Sequence, residues 1–74
     1  MTKKNWVYMD VDGNLNAQVG DILEVNQSRA QVHQVLPKYG LIMDTLGAGM
    51  KLRVTWSIKE LSMMGAHIVE TATN

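Results

Sequence analysis

The chain has 74 residues, no cysteine, six methionines and seven Lys plus Arg against seven Asp plus Glu. That length admits one domain, and the absence of cysteine excludes disulfide staples and thiolate metal sites. A formal charge of zero argues against a free-standing, non-specific nucleic-acid binder and favours association.

In chain order, Trp6-Val7-Tyr8-Met9 is aromatic and β-branched, which predicts a strand. Asp12-Gly13-Asn14 follows as a tight turn, so residues 5–18 are expected to form an N-terminal hairpin. Val19-Gly20-Asp21 is a second turn, and Ile22-Leu23-Glu24-Val25 a strand. Arg29 to Leu36 alternates polar and apolar, the period of a half-buried strand. Its phase slips at Val35-Leu36, which predicts a bulge or a strand end there. Pro37-Lys38 connects to a strand over Tyr39–Asp44. A glycine-rich loop covers Thr45–Gly49, and Met50–Trp56 alternates with Leu52, Val54 and Trp56 inward.

Ser57 and Glu60 have capping-box spacing, with Trp56 and Leu61 placed as a hydrophobic staple and Gly65 as the stop. These predict a helix of about 58–64, too short to stand alone and therefore docked on the sheet. Ala66–Glu70 is a final strand, and 71–74 is expected to be a frayed tail. The expectation is a single domain over 1–74, mainly β, with a barrel over 19–70. Five to six short antiparallel strands and one helix before the last strand make it up.

Val19-Gly20-Asp21-Ile22-Leu23-Glu24-Val25 resembles the opening strand of SH3-like small barrels. Val54 and Trp56 to Leu61, then Ala66 to Val69, resemble their closing element. The likeness is at the level of fold and covers about 19–70. The clustered aromatic and acidic loop of peptide-binding SH3 domains has no equivalent here. SH3-like barrels bind RNA, DNA, protein tails or other subunits, so the resemblance implies binding without choosing the ligand.

Asp10-Val11-Asp12-Gly13-Asn14 looks like the nucleophile motif of haloacid-dehalogenase-type phosphotransferases. That chemistry also needs a Rossmann-like core, a distant Lys and further metal-binding carboxylates, for which 74 residues leave no room. A hairpin turn is the expectation. Asp10, Asp12, Asn14, Asn16, Gln18 and Asp21 also follow the ligand spacing of an EF-hand loop. Leu15 stands where that loop needs glycine, and Asp21 where it has Glu. A polar loop without metal is expected, and no catalytic residue, metal ligand or cofactor is assigned.

Two binding surfaces are candidates. Trp6 and Tyr8 share a face of the N-terminal segment, either covering one end of the barrel or forming an apolar patch for a partner, and Met63 points off the helix. Alternatively, Arg29, His33, Lys51 and Arg53, with Lys38 and Tyr39 at the edge, form a basic face suited to nucleic acid. The expected function is a non-catalytic binding or assembly module working through a protein partner or self-association. A nucleic-acid-binding small barrel is the alternative. No segment approaches the ~20 apolar residues of a membrane span. The start at Met1–Asn5 does not lead into a signal peptide, so a cytoplasmic setting without membrane contact is expected.

Overall fold

Turn chemistry sets the sheet. β2 (Ile22–Val25) and β3 (Ser28–Leu36) are joined by Asn26 and Gln27 alone, at φ 50° and 69°. Two positive φ angles give the turn whose twist matches an antiparallel hairpin. β3 reverses through Leu36–Tyr39, where Tyr39 N–H donates to Leu36 O at 3.0 Å and Lys38 sits at φ 68°. Pro37 followed by a positive φ is type II turn chemistry, with lysine where glycine is usual. β4 (Gly40–Leu46) then runs back beside β3, and β5 (Arg53–Ser57) beside β4. The computed structural model describes residues 5–47 and 51–72. Met1–Lys4, the Ala48–Gly49 part of the expected loop, Met50 and the last two residues of the expected tail lie outside them.

β5 passes directly into α1 (Ile58–Met63), and β6 (His67–Glu70) returns to pair with β2. β1 (Asn5–Trp6) pairs with the other side of β6. Among the described residues six strands form one sheet in the order β1-β6-β2-β3-β4-β5, and every pairing is antiparallel. The fold is therefore mainly β with a short helix before the last strand, as the spacing of strands and turns predicts. It is compatible with a small barrel.

Both ends of α1 are closed as their sequence predicts. Ser57 N–H donates to Glu60 Oε1 at 2.9 Å, and Glu60 N–H donates to Ser57 Oγ at 3.2 Å. At the other end Gly65 takes φ 67°, Gly65 N–H donates to Ser62 O and Ala66 N–H to Leu61 O. That pair of bonds is a Schellman stop, which a residue with a Cβ would strain. Leu61 and Ala66 both end in the core.

Inward residues of the strands and of α1 build that core. Leu23, Leu41, Met43 and Leu61 are fully buried, with Val25, Ala30 and Val32 around them. Each large aliphatic side chain contributes about 1.5–3 kcal/mol by leaving water. Val7 and Ala17 belong to the same cluster, and Val7 N–H donates to Ala66 O at 3.2 Å. The N-terminal segment thus pairs and packs within its own chain. Of the strand expected over Trp6–Met9 only Trp6 is regular, in β1 (Asn5–Trp6), and a bridge from Met9 to Leu15 marks the hairpin.

Local expectations shift at several points, and Thr45 and Leu46, expected in the glycine-rich loop, extend β4. β3 ends at Leu36, so the expected bulge or strand end at Val35-Leu36 is a strand end, while a separate register slip falls at His33, between Val32 and Gln34. His33 and Gln34 are both exposed, so the extra residue sits where two polar side chains follow one another. Leu52, expected inside, is 53% exposed, although its backbone still bonds Thr45 of β4. Gly40 lies opposite Ser57, and a Cβ there would meet the Trp56 carbonyl oxygen. β4 and β5 approach so closely at this point that only glycine fits.

Candidate functional site

The N-terminal segment is held as a rim over the α1–β6 corner. Val7 is buried, so its neighbours Trp6 and Tyr8 turn outward, 53% and 55% exposed. The Asn16 side chain fixes both: its Nδ2 donates to Trp6 O at 2.9 Å, and its Oδ1 accepts from Tyr8 N–H at 3.0 Å. Trp6 stands edge-on to His67, with centroids 5.6 Å apart and planes at 63°. Its ring also lies close to Gly65, where an added Cβ would be 3.6 Å from Trp6 Cζ3. Met63, in the last turn of α1, is 77% exposed. The fold thus sets Trp6 beside the turn that leaves α1, two residues after Met63. Val11, at the tip of the acidic loop, and Val19 are further exposed apolar side chains. Hydropathy flags neither, because a single Val beside turn residues carries no periodicity.

The charged face is internally balanced. Arg53 grips Asp44 through Nε to Oδ1 at 2.7 Å and Nη2 to Oδ2 at 3.3 Å. That hydrogen bond, helped by the charges of Arg53, His33 and Lys51 and opposed by desolvation, holds the Asp44 carboxyl below its ordinary range. The Arg53 guanidinium is correspondingly raised by its bond to Asp44. His33 Nδ1 lies 3.9 Å from the same carboxylate, and Arg29 lies 3.7 Å from Glu70. His67 Nε2 faces Glu24 at 3.1 Å, while its Nδ1 faces Gly65 O at 3.1 Å. The Arg53–Asp44, His33–Asp44 and His67–Glu24 pairs span neighbouring strands, whereas Arg29 on β3 faces Glu70 on β6 across β2. Lys51 and Arg53 border a shallow hollow of about 400 Å³ with Asp44 and Leu52. Lys38 and Tyr39 belong to the β3–β4 turn, at the opposite end of β4 from the Asp44–Arg53 pair, with Tyr39 half-exposed. The sheet therefore does not gather the six basic-face candidates into one patch.

The acidic loop is a local turn tied to Lys38, whose N–H donates to Gly13 O at 2.7 Å. Asp10 Oδ1 accepts from Asp12 N–H and Asn14 N–H, each at 2.9 Å. Asp10 N–H donates to Asn14 O, and Gly13, at φ 86°, donates to Asp10 O. Asp21 does not join them. It is 4% exposed and accepts from Gln18 N–H at 2.9 Å and Ala72 N–H at 2.7 Å. One carboxylate so ties the second turn to a segment 51 residues away. Among the described residues no cluster of three His, Asp or Glu is placed to hold a metal ion.

Comparison of the chain with protein-family models, curated proteins and solved structures finds no match.

Proposed function

We propose that this chain is a non-catalytic binding or assembly module built on an SH3-like barrel, acting through protein–protein contacts or as a subunit of a larger complex. The barrel assignment is supported by the order β6-β2-β3-β4-β5, with the short helix between β5 and β6. The observation that carries the function is the aromatic rim. Trp6 and Tyr8 flank a buried Val7, are fixed through their backbones by Asn16, and keep half their surface open. Rigid aromatics that remain exposed are the usual anchors of protein interfaces, because they bury much area at little conformational cost. A cysteine-free chain of zero formal charge fits an assembly partner in a reducing, cytoplasmic setting.

Sedimentation velocity from micromolar to millimolar protein tests this for self-association. Wild type should sediment faster as concentration rises, and Trp6→Ser should remain monomeric at every concentration. Association unaffected by Trp6→Ser would remove the rim from the account. Nucleic-acid binding is the second reading and draws on Lys51 and Arg53 beside their hollow. It is the weaker one, because Arg29 and Arg53 already face carboxylates. Phosphate binding would have to compete with those pairs. Amide shifts on titrating single- and double-stranded oligonucleotides should be absent at low and moderate salt. Salt-dependent shifts at Arg29, His33, Lys51 and Arg53 would favour this second reading.

A further inference from the structure

β5 ends the sheet, and its hydrogen bonds show which way its backbone points. Thr45 N–H donates to Leu52 O, and Ile58 N–H donates to Tyr39 O, both at 2.8 Å. The register between them is continuous, with Met43 opposite Val54 and Leu41 opposite Trp56. Bonded and non-bonded pairs alternate along an antiparallel ladder. Leu52, Val54, Trp56 and Ile58 therefore turn their backbone groups toward β4. Arg53 and Thr55 turn theirs away, and both residues are exposed. Ser57 N–H, the next in that outward row, is occupied by Glu60 Oε1. Among the described residues the open edge is two residues long and bounded by the helix cap.

The side chains specify what the edge would accept. On one side, Leu52 is 53% exposed and Val54 and Trp56 are half-buried, so an apolar row continues past the last strand without full cover. On the other side stand Arg53 and Thr55, with Lys51 just before the strand. Lys51 makes no ion pair among the described residues. A second copy pairing edge to edge would bring another Lys51 and Arg53 near these, and like charges across strands repel.

We propose that the β5 edge binds an extended segment of a partner protein, added as a further strand, whose side chains alternate between apolar and acidic. Main-chain bonds to Arg53 and Thr55 supply the pairing. Apolar side chains extend the Leu52-Val54-Trp56 row, and acidic ones face Lys51, since Arg53 is already held by Asp44. This deepens the reading of a protein-binding module and places the contact on a surface other than the aromatic rim.

The test is an amide NMR titration of the full chain with acetyl-Glu-Val-Glu-Ile-Glu-Val-Glu-amide, set against the same peptide with Lys at each Glu. The acidic peptide should shift the Arg53 and Thr55 amides first. Thr55→Pro removes only an outward N–H, which an edge strand tolerates, and should weaken binding by about tenfold or more. Lys51→Glu, at an exposed position, should move the preference toward the basic peptide and serves if the proline variant does not fold. Trp6→Ser should leave the titration unchanged, which separates this proposal from the rim and its sedimentation test. Equal binding of both peptides, shifts that survive Thr55→Pro and Lys51→Glu, or no shifts at Arg53 and Thr55 with either peptide would overturn it.

Discussion

The corner from β5 through α1 to β6 and the N-terminal segment from Asn5 to Asp21 lie next to each other and are specified in opposite ways. At the corner, Ser57 bonds Glu60, and the Gly65 turn closes back on Leu61 and Ser62. In these two helix caps every partner is within five residues. In the N-terminal segment the decisive partners are remote: Val7 to Ala66, Gly13 to Lys38, and Asp21 to Ala72. The first region is coded by a local motif and the second by long-range accommodation. An element of the second kind can carry an exposed Trp6 and Tyr8 rigidly only while those remote bonds hold.

The largest effect expected from breaking this contrast is at Gly40, where the corner meets the sheet. Gly40→Ala drives a Cβ into the Trp56 carbonyl, and β4 and β5 must separate. The loss should be on the order of 3 kcal/mol, read by chemical denaturation. Asp21→Ala comes next. It leaves the Gln18 and Ala72 amides without their carboxylate and should cost about 2–4 kcal/mol in the same measurement. A loss below 1 kcal/mol would mean that water replaces the clasp and that the N-terminal segment does not depend on it. Ser57→Ala removes one cap of a six-residue helix and should cost about 1 kcal/mol.

The smallest effect concerns the Asp44–Arg53 pair, which is exposed. Asp44 titrates below its ordinary value of 3.8 in the folded chain. Its contribution is therefore complete above the unfolded-state value and is lost as pH falls through the folded one. Asp44→Asn should lower stability slightly at neutral pH and flatten its decline below that value. An unchanged acid limb in thermal melts would show that the ion pair contributes nothing.

The same contrast explains what the sequence made legible. Ser57, Glu60 and Gly65 announce the helix because all their capping partners are local, and Ile22–Val25 is bounded by turns on both sides. The phase slip at Val35-Leu36 marked the strand end at Leu36, but sequence alone does not single out the polar pair His33-Gln34 as a bulge. Only pairing against Met43 and Ile42 places it. Asp21 fitted a loop-ligand spacing, yet one of its carboxylate's two partners is 51 residues away, and no spacing rule reaches that far. Trp6 and Tyr8 were legible as a surplus aromatic pair, and their exposure follows once Val7 is inside. The basic face was misleading for a related reason. Arg29, His33 and Arg53 are visible in the chain, but Glu70 and Asp44 come beside them only through the register of the sheet.

The most direct test of this account is native-state hydrogen exchange of the Val7 and Ala72 amides. Val7 N–H is bonded to Ala66 O and Ala72 N–H to the buried Asp21 carboxylate. The account predicts that both exchange slowly, in the range of the core strand amides at Val32 and Met43, and that Asp21→Ala releases Ala72. Exchange of Val7 as fast as that of the exposed loop tip at Val11, with the core still protected, would contradict it. The N-terminal segment would then be a loose arm, and Trp6 would not be held in place as an interface anchor.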